Sequence, residues 1–206
     1  MTGFFARFWP VVAMLLAATG CSGKPARPAG SGVDPQAAGT KAVADFDANH
    51  DGALDDEELK KCPGLRSSLQ RADTDKDGKL SAEEIAARIQ SWLNSGTVVM
   101  EAAIAMTLDG QPLAGATVSL DPEPFLGDGF HAAQGSTNKI GQVVFTTSTE
   151  FGFPGLYLGF YRVRVTKSDG GKELIPAKYN TETELGCEIA DDIADRTLIE
   201  FHLLSK

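Results

Sequence analysis

The chain has 206 residues, 42% of them hydrophobic and 23% charged, with a formal net charge of -9. That is apolar material for one or two small domains and too much for a wholly disordered chain. An acidic balance of this size excludes nucleic acid as a partner, because phosphate backbones attract basic surfaces. The cysteines Cys21, Cys62 and Cys187 form no CxxC pair, which argues against zinc or dithiol redox chemistry. In an oxidising compartment Cys62 and Cys187 could pair.

In chain order, residues 1–21 read as an export signal. Arg7 supplies the positive charge, Val11 through Ala18 form a short apolar core, and the small residues Thr19 and Gly20 precede Cys21. The apolar run is too short for a comfortable transmembrane span. Ala18-Thr19-Gly20-Cys21 resembles the signal of bacterial lipoproteins, with Ala18 where Leu is usual. The resemblance implies lipidation of Cys21, membrane attachment through that anchor, and a place in the bacterial cell envelope facing periplasm or exterior. Residues 22–39, rich in Pro, Gly and Ala, read as a flexible tether.

Residues 40–95 hold the strongest chemical signal. A pattern of oxygen-bearing side chains around a glycine occurs twice, from Asp47 to Glu58 and from Asp73 to Glu84. Both copies match the calcium loop of an EF-hand, with oxygen ligands at the first, third, fifth, ninth and twelfth positions and glycine at the sixth. Two calcium ions are therefore expected. The first would take Asp47, Asn49, Asp51, the Ala53 carbonyl, Asp55 and a bidentate Glu58. The second would take Asp73, Asp75, Asp77, the Lys79 carbonyl, Ser81 and Glu84. Gly52 and Gly78 permit the sharp turn, and Leu54 and Leu80 belong to a short two-stranded contact between loops.

Asp55 and Ser81 each precede a glutamate at capping-box spacing. Ala82 to Leu93 contains good helix formers, with Ile85, Ile89 and Trp92 on one apolar face read as core. The interval between the loops is short. Cys62-Pro63-Gly64 should end one brief helix before another starts near Leu65, and Thr40 to Phe46 leaves only one or two turns ahead of the first loop. The reading is a small, compact, all-α EF-hand pair. Its short spacing is also similar to that of dockerin modules, although no cohesin-recognition pattern accompanies it.

Beyond the Asn94-Ser95-Gly96 linker, residues 97–206 change in texture. Apolar runs and turn signals alternate: Thr97 to Leu108, the Asp109-Gly110 turn, Thr117 to Asp121, the 136–141 turn, Gln142 to Thr147, Gly159 to Lys167, and Thr197 to Leu204. In the 159–167 segment, residues 161, 163 and 165 should face in while 162, 164 and 166 face out. The pattern implies an antiparallel β-sandwich. The 109–118 stretch, the 137–142 turn and Gly159 to Val163 resemble the carboxypeptidase regulatory-like, transthyretin-like domain of secreted bacterial proteins. Ile175 to Tyr179, with Thr183 and Leu185, looks like the version common in planctomycete lipoproteins. That resemblance implies an accessory or binding module and specifies no reaction.

His50, His131 and His202 are scattered and form no catalytic constellation, so no enzyme is expected. Asp191, Asp192 and Asp195 near Glu188 read as solvated surface, with a third weak calcium site as the alternative. Phe151, Phe153, Tyr157 and Phe160 read as core, with an exposed binding patch as the alternative. The expectation is a non-enzymatic, calcium-binding envelope lipoprotein whose ions order a module that binds an envelope protein or a glycan. The alternatives are a calcium-responsive regulator of an envelope partner and an accessory carbohydrate-binding or hydrolytic protein.

Overall fold

The structure, a computed structural model, describes residues 31–145, 155–193 and 198–206. The expected export signal, Cys21, most of the expected tether, Phe151, Phe153 and Asp195 lie outside the described residues. Five α-helices occupy the amino-terminal region: α1 (Pro35–Phe46), α2 (Asp56–Leu59), α3 (Pro63–Arg66), α4 (Leu69–Ala72) and α5 (Ala82–Ser95). Two short strands lie among them, β1 (Ala53–Leu54) and β2 (Leu80–Ser81). Among the described residues, no helix is long and apolar enough to cross a membrane.

Helix α1 begins inside the segment expected to be tether, and it is longer than the one or two turns expected from Thr40. Asp34 caps it by accepting hydrogen bonds from the Gln36 and Ala37 amides at 3.0 and 3.1 Å. Pro35 occupies the first turn, where its missing N–H costs nothing and its fixed φ suits a helix. The buried residues of α1 are Ala38, Gly39 and Ala42, all small. They let the helix lie close on α5. A Cβ at Gly39 would stand 2.2 Å from the Ala82 carbonyl oxygen, so only glycine fits that crossing. Residues 35–39 of the segment read as tether therefore belong to a helix packed closely on α5.

The remaining strands follow α5. They are β3 (Val99–Met100), β4 (Ala103–Leu108), β5 (Gln111–Pro112), β6 (Thr117–Pro122), β7 (Ala133–Ser136), β8 (Gln142–Val144) and β9 (Leu156–Tyr157). After them come β10 (Gly159–Thr166), β11 (Ser168–Asp169), β12 (Lys172–Glu173), β13 (Gly186–Ile189) and β14 (Ile199–Leu203). One antiparallel sheet has the order β13-β10-β6-β7. A second centres on β4, which pairs antiparallel with β5 and β8. The closing strand departs from the antiparallel expectation: β14 runs parallel to β4, Ile199 opposite Ile104 and Leu203 opposite Leu108. Strand β10 alternates as its sequence predicts, with Tyr161, Val163 and Val165 buried and Arg164 exposed.

A single hydrophobic cluster runs from the helices into the sheets. It includes Leu54, Leu59, Leu65, Leu80, Ile85, Ile89 and Trp92 together with Val118, Leu120, Phe160, Tyr161 and Val163. Each fully buried aliphatic side chain contributes about 1.5–3 kcal/mol relative to exposure. The Trp92 and Phe160 rings meet edge-on at 4.6 Å across the junction. Phe160 and Tyr157 are buried, as expected of core residues. Helix α3 lies directly on β10 and β13, and a Cβ at Gly64 would stand 2.7 Å from the Tyr161 backbone nitrogen.

Candidate metal centre

The two loops repeat one set of backbone-to-side-chain hydrogen bonds. In the first, Asp47 accepts from the His50 and Gly52 amides at 2.7 and 3.0 Å. In the second, Asp73 accepts from the Lys76 and Gly78 amides at 2.6 and 2.9 Å. Asn49 and Asp51 accept from Asp51 N and Ala53 N; Asp75 and Asp77 accept from Asp77 N and Lys79 N. The turns need positive φ twice in each loop, at His50 (60°) and Gly52 (93°), and at Lys76 (64°) and Gly78 (84°). The glycines adopt it without strain. These bonds tie the side-chain oxygens of each loop to its own backbone.

The glutamates close the loops. Glu58 accepts from the Ala48 and Asn49 amides through Oε1 and from Asp55 N through Oε2. Glu84 accepts from Thr74 N through Oε1 and from Ser81 N and its hydroxyl through Oε2. Both form complete capping boxes, with Asp55 and Ser81 as the caps of α2 and α5. Burial works against the Glu84 carboxylate, but the bonds from Ser81 and Thr74 outweigh it and hold its pKa below the usual range. Between the loops, β1 and β2 pair antiparallel, setting the fully buried Leu54 opposite Leu80.

In the second loop, carboxylate oxygens of Asp73, Asp75 and Glu84 lie within 4.8 Å of one another, a cluster able to hold a metal ion. The donors are hard oxygens, which suit calcium rather than a soft transition metal. Asp77, Ser81 and the Lys79 carbonyl lie on the same loop, and Asp47, Asn49, Asp51, Ala53, Asp55 and Glu58 occupy the equivalent positions of the first. Lys79 Nζ contacts Asp51 Oδ2 at 2.6 Å across the two loops. The Lys79 bond is the main cause holding Asp51 below its usual pKa, and Asp51 in turn raises that of Lys79.

The second loop is tied to the sheets through a residue beside the acidic run expected to lie on solvated surface. Glu188, on β13, is buried. It accepts from Arg71 Nε at 2.8 Å, Arg88 Nε at 2.5 Å and Trp92 Nε1 at 3.0 Å. Arg88 also grips Asp192 with both terminal nitrogens, at 2.6 and 2.8 Å. Burial opposes the Arg88 charge, yet Asp192 and Glu188 together raise its pKa. The buried Glu188 and, at its half-exposed rim, Asp192 of the acidic run therefore form one ionic junction. Its signal was hidden because the partners, on α4 and α5, lie far back in the chain.

A second junction lies under the stretch between the loops. The buried Glu123 accepts from the Gly64 amide at 2.9 Å and from Arg162 Nε at 2.8 Å. Arg162 also donates to the Lys61 carbonyl at 2.6 Å. Burial raises the Glu123 pKa despite the opposing pull of Arg162. Cys62 and Cys187 are buried free thiols, not a disulfide. His50 and His131 are exposed, and the exposed His202 pairs with Thr107 Oγ1 at 3.0 Å.

Residues 44–63 and 65–87 match the EF hand family, one match for each loop with its flanks. No curated protein matches the chain. EF-hand regions are in general non-catalytic, and the acidic cluster of the second loop is consistent with calcium binding.

Proposed function

We propose that the protein is a non-enzymatic, calcium-binding lipoprotein of the bacterial cell envelope, in which bound calcium sets a rigid module rather than operating a switch. Two calcium sites are proposed, with the ligands Asp47, Asn49, Asp51, Ala53, Asp55 and Glu58, and Asp73, Asp75, Asp77, Lys79, Ser81 and Glu84. The observation that carries this reading is Glu188, which holds Arg71 from the helix entering the second loop and Arg88 from the helix leaving it. A calcium sensor works by changing the angle between those two helices to expose a groove. Here one buried carboxylate ties both to β13.

The remaining parts of the reading rest on the sequence. Lipid on Cys21 anchors the chain, and the segment after it serves as tether up to Asp34, where the cap of α1 begins. The helical unit then extends from 35 to 95. Residues 97–206 form a transthyretin-like, carboxypeptidase regulatory-like sandwich, whose exposed loops meet an envelope protein or glycan. Calcium-rich surroundings outside the cytoplasm would keep even weak sites filled.

Calcium titration by calorimetry, paired with hydrogen exchange in calcium and in chelator, tests the proposal. Two ions bound, with slower exchange confined to residues 47–58 and 73–84, is the expected result. Calcium-dependent deprotection of the buried faces of α4 and α5 would instead establish a regulator.

A further inference from the structure

The two loops carry equal numbers of acidic residues at their ligand positions, four each: Asp47, Asp51, Asp55 and Glu58 against Asp73, Asp75, Asp77 and Glu84. Ligand charge alone therefore does not rank the sites. The ranking comes from one cation. The β1–β2 pairing sets Ala53 opposite Ser81 and Leu54 opposite Leu80, so the next step of the register brings Lys79 beside Asp55. From there its side chain crosses to the first loop, where Nζ donates to Asp51 Oδ2 at 2.6 Å. Asp51 occupies the fifth ligand position, and its other oxygen accepts from the Ala53 amide.

We propose that Lys79 is a built-in counter-ion that holds the calcium affinity of the first loop below that of the second. The inference rests on the calcium reading above. An ammonium group bonded to a ligand carboxylate both occupies one of its oxygens and repels an arriving dication. Nothing reciprocates. The first-loop residue equivalent to Lys79 is Ala53, which has no charge to send into the second loop. Lys76 is exposed and makes no ion pair among the described residues. The Asp73, Asp75 and Glu84 carboxylates gather in the second loop, and although the Lys79 ammonium also feels the charge of Asp77, its hydrogen bond goes to Asp51 of the first. Lys79 thus serves the two sites in opposite senses: its carbonyl belongs to the second loop, and its side chain weakens the first. Calcium fills the second loop first, and the first loop follows at higher concentration.

Calorimetric calcium titration of the full chain tests this with Lys79→Met, which keeps the backbone carbonyl and the length of the stem while removing the charge. Glu84→Gln disables the second loop, so the remaining step reports the first. In that background Lys79→Met should tighten calcium binding about threefold, the scale of an exposed ion pair. The gain should shrink in high salt, and Lys79→Arg should restore the parent affinity. In a Glu58→Gln background, which disables the first loop, Lys79→Met should change the affinity much less, because among the described residues Lys79 makes no hydrogen bond to a second-loop carboxylate. If Glu84→Gln does not fold, the two stepwise constants of the otherwise native chain serve instead, and Lys79→Met should tighten the weaker step alone. Binding of two ions with the weaker step unmoved by Lys79→Met overturns the inference and leaves the calcium reading standing. Failure of the native chain to bind calcium overturns both.

Discussion

Two buried glutamates join the helices to the sheets, and they do so by different means. Glu123 holds a backbone amide, that of Gly64, and shares an arginine from its neighbouring strand. Glu188 holds only side chains, two guanidinium groups and an indole, and all three come from the helices around the second loop. The first junction fixes where the inter-loop segment sits; the second fixes how two helices are inclined. They also differ in what remains if the acid is lost. Arg162 has a third of its side chain exposed and can turn to water, whereas Arg88 is 7% exposed and keeps only the half-exposed Asp192 as counter-charge. A buried carboxylate is as costly to remove as its abandoned partners are costly to solvate.

That contrast sets the order of expected effects. Glu188→Ala should cost about 3–5 kcal/mol, the loss typical of breaking a buried ion pair. Glu123→Ala should cost about 1–3 kcal/mol, because it chiefly strands one buried amide. Urea unfolding of the two variants in calcium compares them directly, and equal losses would erase the distinction between the junctions. Gly64→Ala probes the first junction sterically, since the new methyl would press on the Tyr161 backbone. It should cost about 1–3 kcal/mol by overpacking, and a neutral result would show that α3 can lift from β10.

The smallest effect belongs to the rim of the second junction. The Asp192 side chain is half exposed, so Asp192→Asn should cost only about 0.2–1 kcal/mol. Its bond with Arg88 is the main cause holding its pKa below the ordinary value of 3.8. A carboxyl depressed in the folded state stabilises above its unfolded pKa, and that contribution is lost as pH falls through the depressed value. The difference between native chain and variant should therefore be constant near neutrality and vanish in strong acid. A difference that grew on acidification would contradict the assigned pairing.

The loops were legible because their code is local. Oxygen ligands, glycine and closing glutamate recur at fixed intervals, and the hydrogen bonds they make stay within each loop. Strand β10 was legible because one face is buried, so Tyr161, Val163 and Val165 alternate with arginines. Helix α1 was not. Pro35 and Gly39 read as breakers, but one sits where a helix tolerates proline and the other where a neighbouring backbone allows nothing larger. The role of Glu188 was hidden for a different reason. Acidic runs are usually solvated, and only the fold reveals two arginines converging on this one. The parallel pairing of β14 with β4 was equally out of reach, because alternation defines faces and not strand direction.

The free thiols flank the same junctions. Cys62 precedes the segment held by Glu123, and Cys187 precedes Glu188 on β13. Burial pushes both pKa values up, that of Cys187 to about 12. Alkylating reagents attack the thiolate, a form that burial disfavours while the seams are closed. Each cysteine is thus a clock for its own seam. The rate at which it becomes alkylated measures how often that seam parts, and comparing rates with and without calcium shows how far an ion's influence travels from the loops into the sheets.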